Sequence, residues 1–170
     1  WLDLSSIAKG FAIDLINSYL KDHNNYLVDI GGELLVKGTN NSSLWNIGLQ
    51  DPKSINNNPL YIISTNNWYS IATSGEYRNY KIKDNKKISH TINPKTLNTI
   101  NNNLLSVTVI NYGDVPVTAI ADAFATAFNA MGYVKAYDFA NKNNIAALFI
   151  LEKEGDISIV KTQKWYDLKL

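Results

Sequence analysis

Residues 104–132, LLSVTVINYGDVPVTAIADAFATAFNAMG, contain the change of pattern on which the fold turns. Residues 104–110 are β-branched enough for a central strand, because such side chains pack well on a pleated surface. Over 117–131 the sequence switches to an alanine-rich helical pattern, closed by Gly132 where a glycine suits the helix end. Upstream, residues 26–30, 33–37, 45–50, 60–65 and 69–73 read as short strands, punctuated by Gly31-Gly32, Asp51-Pro52 and Asn58-Pro59. Before them, Ser5 or Ser6 can cap a helix that ends near Lys21 and carries Ile7, Phe11, Leu15 and Tyr19 on one stripe. Downstream come a helix over 134–142 and strands over 146–151 and 157–161. Runs of antiparallel strands interrupted by a few helices predict an α+β domain with its helices packed on one face of the sheet. Phe11, Trp45, Phe124, Phe128 and Phe149 are expected in its core.

The chain has 170 residues, 45% of them hydrophobic, which suits one domain with a real core and does not demand two. Sixteen basic against fifteen acidic residues leave a net charge of +1, which is no footprint for nucleic acid or an anionic membrane. There is no cysteine, so disulfides, thiolate metal ligands and a cysteine nucleophile are excluded. No apolar run reaches the length of a membrane span. Neither an internal repeat nor a linker is visible, and the short asparagine runs fall mostly at expected turns.

Two stretches carry chemistry-bearing residues. Residues 72–94, ATSGEYRNYKIKDNKKISHTINP, read as a hairpin turning at Asp84-Asn85, with Thr73-Ser74-Gly75 before it and Asn93-Pro94 after it as ligand-facing loops. His90, one of two histidines, sits near the end of the returning strand. His23, at the end of the first helix, reads as a surface residue. In residues 121–126, ADAFAT, Asp122 and Thr126 lie four apart on one helical face with alanines around them. A carboxylate and a hydroxyl so placed form a partial shell for a hard, oxygen-seeking cation such as Mg²⁺. The same two residues also suit a macrodipole partner and a back-bonded threonine, and Asp3, Ser5 and Ser6 suit a helix cap.

Taken together and in order, DLSSIAKGFAID, NYLVDIGGE, WNIGLQDP, ATSGEYRNY, SHTINPKT, LLSVTVI and ADAFATAFNAMG resemble the ApbE family of FAD:protein FMN transferases. The resemblance covers nearly the whole chain, with departures at Asn93, where the family usually has an acidic residue, and Leu97, where it usually has a glycine. It implies a T-fold-like α+β arrangement and a chain that is the C-terminal part of a longer protein. The missing part is expected to carry an export or lipoprotein signal, hence a periplasmic or membrane-anchored location, and an aromatic side of the flavin pocket.

The resemblance also implies a site. Asp122 and Thr126, with backbone carbonyls of Ser6 and Ala125, are expected to hold Mg²⁺; Asp3, Lys9, Ser74, Gly75 and Thr96 to contact FAD; and His90 to stand by the reacting phosphate as general base or orienter of the attacking hydroxyl. The implied reaction moves FMN from FAD to a threonine or serine of an acceptor flavoprotein subunit and releases AMP. Two alternatives use the same residues: hydrolysis of FAD to FMN and AMP, or flavin binding without catalysis.

Overall fold

In a computed structural model the described residues are 3–54, 56, 58–75, 80–83, 86–89, 92, 94, 97, 103–168 and 170, with 80–83 and 86–89 as backbone alone. In chain order their elements are α1 (Ser5–Tyr19), β1 (Tyr26–Ile30), β2 (Glu33–Lys37), β3 (Trp45–Gln50), β4 (Pro59–Thr65), β5 (Tyr69–Gly75), β6 (Tyr80–Lys83) and β7 (Lys86–Ser89). There follow β8 (Leu104–Tyr112), α2 (Thr118–Met131), α3 (Tyr133–Lys142), β9 (Ala146–Lys153), β10 (Asp156–Lys161) and α4 (Gln163–Tyr166). Six strands make one sheet in the order β1-β2-β5-β8-β9-β10, every neighbouring pair antiparallel. β8 lies inside it between β5 and β9, as its branched residues predict.

Alternation along the inner strands separates two cores, since successive side chains point to opposite faces of a sheet. Ala147, Phe149 and Leu151 of β9 join Val107 and Val109 of β8 against Phe128, with alanines of α2 and α3 closing the layer. Ala146, Leu148 and Ile150 face the other way. That second face is not open. The hairpin of β3 and β4 lies over it through Ile47, Leu49 and Ile63, and Trp165 of α4 fills the rest. The long helices therefore keep to one side, as expected, while a two-stranded layer and a single helical turn cover the other. α4 is too short to leave a period in the sequence; it is anchored beside Thr162, whose hydroxyl donates to the Ile145 carbonyl at 2.8 Å and accepts the Ala147 N–H at 3.0 Å.

The first helix corrects two expectations. Its N-cap position is Leu4, which has no capping side chain; Asp3 just before it accepts the Ser5 N–H on Oδ1 at 2.8 Å, and Ser5 itself is the first helical residue. Its buried face is Gly10 and Ile13, whereas Phe11, Leu15 and Tyr19 are 56%, 51% and 85% exposed. The aromatic and aliphatic stripe points away from the sheet because the inward face packs against α2 too closely for large side chains. A Cβ on Gly10 would lie 2.5 Å from the Thr118 carbonyl oxygen and 2.7 Å from the Ala119 Cα. Phe11 is thus not a core residue; Phe128 and Phe149 are fully buried, and Trp45 and Phe124 half-buried.

Carboxylates lock that close contact from both sides. Asp14 of α1 accepts the Thr118 N–H at 2.7 Å and the Ala119 N–H at 3.0 Å, so it caps α2 in place of a local residue. In return Asp122 of α2 accepts the Gly10 N–H at 3.0 Å. Further along, β5 continues to Gly75 and pairs Ser74 with Val107 and Gly75 with Ser106, so the segment expected as a loop before the hairpin is strand. The hairpin itself forms, β6 and β7 pairing from Tyr80–Ser89 to Lys83–Lys86.

Candidate functional site

A gap in the sheet makes the site. β2 pairs with β5 only from Leu34–Ile71 to Val36–Tyr69, and β5 runs on past Ile71 to Gly75 without β2 beside it. The space so left is a cleft of about 670 Å³, within the range of small-molecule and cofactor pockets. Ser5, Ser6 and Lys9 reach it from α1, Asp122 and Thr126 from α2, and Thr73, Ser74 and Gly75 from β5. Gly31, Gly32 and Glu33 close it at the start of β2, and Ile47 to Gln50 of β3 at the opposite wall. Gly31 and Gly32 take φ of 63° and 98°, and Asp29 Oδ1 accepts the Gly32 N–H at 3.0 Å, which turns the chain sharply into β2.

Asp122 is 3% exposed. Burial pushes its pKa up, while the Gly10 N–H and the Lys9 charge pull it back. Glu33, which sequence reasoning passed over as an ordinary strand residue, is 2% exposed and ion-paired to Lys9 Nζ at 2.5 Å. Its pKa is also raised, first by desolvation, against the pull of Lys9 and with a further push from Asp122. The only signal for it in the sequence is an acid directly after a double glycine. Among the described residues that line the cleft, one lysine faces three carboxylates, Asp29, Glu33 and Asp122. A phosphate entering alone would meet net negative charge.

Of the expected site residues, the structure brings Ser6, Lys9, Ser74, Gly75, Asp122 and Thr126 into one cleft. Ala125 is 1% exposed and Asp3 is exposed at the head of α1; neither lines it. His90 and Thr96 lie outside the described residues, as does Asn93. Leu97 is described, and its φ of 57° is a glycine-like conformation at the position where the resemblance anticipates a glycine.

The oxygens present fit a hard cation. Asp122 offers a carboxylate whose desolvation favours a positive partner, Thr126 a hydroxyl one helical turn on, and both border the cleft with Ser6. Asp122 is anchored toward the first turns of α1 by the Gly10 N–H, four residues after Ser6. No group of three or more acidic or histidine side chains with metal-binding geometry occurs among the described residues, so a cation here would depend on backbone, hydroxyl and ligand oxygens as well. No described helix is long and apolar enough to cross a membrane.

Residues 1–149 match the ApbE family. Over 157 residues the chain is 38% identical to the FAD:protein FMN transferase of Vibrio cholerae, covering 91% of this chain and 46% of that protein. Over 158 residues it is 36% identical to the FAD:protein FMN transferase of Haemophilus influenzae, covering 91% and 44%. Among solved structures, the apo form of the Pseudomonas stutzeri flavinyl transferase ApbE superposes with a TM-score of 0.83 at 34% identity, covering 98% of this chain and 51% of that one. The chain spans about half the length of the relatives it matches.

Proposed function

Because the chain belongs to the ApbE family, we propose that the protein it forms part of moves FMN from FAD to a threonine or serine hydroxyl of an acceptor protein and releases AMP. The observation that carries this reading is the convergence, in one cleft, of the Asp122 and Thr126 oxygens with the Lys9 ammonium. Phosphoryl transfer asks for in-line positioning and neutralised charge more than for covalent chemistry by the protein.

In this reading Asp122, Thr126 and the Ser6 carbonyl would hold Mg²⁺, which when bound would supply charge neutralisation for the phosphates. Lys9 meets the same anionic part of FAD from α1, and Ser74 and Gly75 approach it from the end of β5. The acceptor hydroxyl oxygen attacks the FMN phosphorus, the bond from that phosphorus to the bridging oxygen breaks, and AMP leaves with that oxygen. His90 takes or orients the hydroxyl proton. An extracytoplasmic setting, periplasmic or membrane-anchored, is what this family reading suggests.

The test is the full-length protein incubated with FAD, Mg²⁺ and a candidate acceptor. Release of AMP together with a covalent FMN increment on the acceptor, read by mass spectrometry, is the expected result. AMP and free FMN without the increment would replace transfer by hydrolysis, and FAD binding without either product would leave a binding module. General acid–base help is typically worth about 10²–10⁴-fold, so His90→Ala is expected to lower turnover by that order; unchanged turnover would remove His90 from the chemistry.

A further inference from the structure

Glu33 takes no part in the transfer step, yet its placement is costly. It is the first residue of β2, directly after the Gly31-Gly32 turn, and only 2% exposed. Burying a carboxylate is unfavourable unless a charge is held against it, and an apolar residue at the start of a strand would be simpler. The partner it holds is Lys9 Nζ at 2.5 Å, on a side chain that is 45% exposed and borders the cleft. The pair therefore bridges α1 and β2 with its acid sealed and its base open.

A lysine ammonium has three donors on a flexible four-carbon stem. The ion pair with Glu33 draws the ammonium to one wall of the cleft, which leaves its donors for a ligand and removes much of the stem's freedom. Resting on the reading of the cleft as the FAD phosphate site, we propose that Glu33 is a positioning residue that holds the Lys9 ammonium over the cleft for the anionic part of FAD. A further consequence is that Glu33 does not repel the phosphate as a free carboxylate would, because its charge is matched by Lys9 at the wall. Asp122 and Asp29 then border the cleft without a direct ion-pair contact to a described lysine or arginine, as a cation-requiring site needs.

The experiment is a double-mutant cycle in the full-length protein with Lys9→Met, Glu33→Gln and the pair, reading the Kd for FAD by calorimetry in Mg²⁺, KM and kcat for AMP release, and the thermal midpoint. Lys9→Met alone is expected to weaken FAD binding about tenfold, the scale of one charge-assisted contact. Glu33→Gln alone is expected to weaken it comparably, in Kd and KM with kcat little changed, while the thermal midpoint holds. In the Glu33→Gln background Lys9→Met should then cost less than about threefold, because the ammonium is already misplaced.

Equal losses from Lys9→Met in both backgrounds, or wild-type FAD affinity in Glu33→Gln, would overturn the inference and leave the pair a structural one. Should Glu33→Gln not fold, Glu33→Asp, which keeps the charge but shortens the arm by one methylene, decides by the same cycle. Wild-type protein that neither binds FAD nor releases AMP would overturn the functional reading itself, a result distinct from an additive cycle.

Discussion

Asp122 shows how far single residues can be read and where that stops. Its spacing from Thr126 and its alanine neighbours mark it in the sequence, but its burial comes from Gly10, more than a hundred positions away in the chain, and no local pattern encodes that. Glu33 was illegible for the same reason: a lone acid at a strand start reads as solvated until its lysine is seen beside it. Because Asp122 links two helices, Asp122→Ala would leave the Gly10 N–H without its acceptor, a loss of about 1–3 kcal/mol, and Asp122→Asn is the cleaner probe. That variant keeps an acceptor and removes the charge. If the cation contributes several kcal/mol to the transition state, kcat is expected to fall by about 10³-fold or more, with no recovery on added Mg²⁺. The pH dependence of stability has a definite sign. Asp122 and Glu33 both have folded pKa values raised by burial, so the folded chain binds protons more readily than the unfolded one. Their contribution is fully present below the usual carboxylate range and is lost as pH rises through the raised values. Without metal, the thermal midpoint should fall from mildly acid to neutral pH, and Asp122→Asn should flatten that fall. An identical slope in the variant would show that Asp122 is not the group responsible.

At the scale of elements, the strands were the most legible part. β1, β2 and β3 begin and end where their apolar residues and turn signals put them, because each strand's local pattern already states which residues alternate. The faces of α1 were not legible. Its large apolar residues at helical spacing outweigh two small ones in any periodicity argument, yet Gly10 decides the geometry by letting two backbones touch. Gly10→Ala tests this. Alanine gains about 1 kcal/mol of helix propensity, but its Cβ would press on backbone atoms of α2 that cannot swing aside, at an overpacking cost of about 1–3 kcal/mol. Displacement of both Asp14 and Asp122 from their N–H donors adds to that. The expected net loss is about 2 kcal/mol, hence about 4–8 °C in thermal midpoint for a chain of this size. A midpoint equal to or above that of the parent would mean that α1 and α2 are free to move apart.

For the molecule as a whole, the α+β class and its sided helices followed from the order of patterns, while the cleft did not, since it exists only where β2 stops pairing with β5. What borders the cleft says which part of a ligand it can hold. Among its described lining residues there are hydroxyls, carboxylates, a lysine and aliphatics, and no aromatic ring. A flavin ring binds best against a flat π surface, so the 170-residue chain on its own is expected to bind FAD no more than about threefold tighter than ADP in Mg²⁺, and to release AMP slowly if at all. Calorimetry with both ligands checks this; strong preference for FAD with brisk AMP release would place the ring within the present chain. The exposed stripe of α1 has a colloidal consequence. Phe11, Leu15 and Tyr19 form an oily ridge on a particle whose net charge is only +1, so two such particles meet with little repulsion and gain by hiding the ridge. Sedimentation of the chain alone should shift to faster species as concentration rises, and replacing Phe11 and Leu15 together by lysine should return it to one slow boundary without lowering its thermal midpoint.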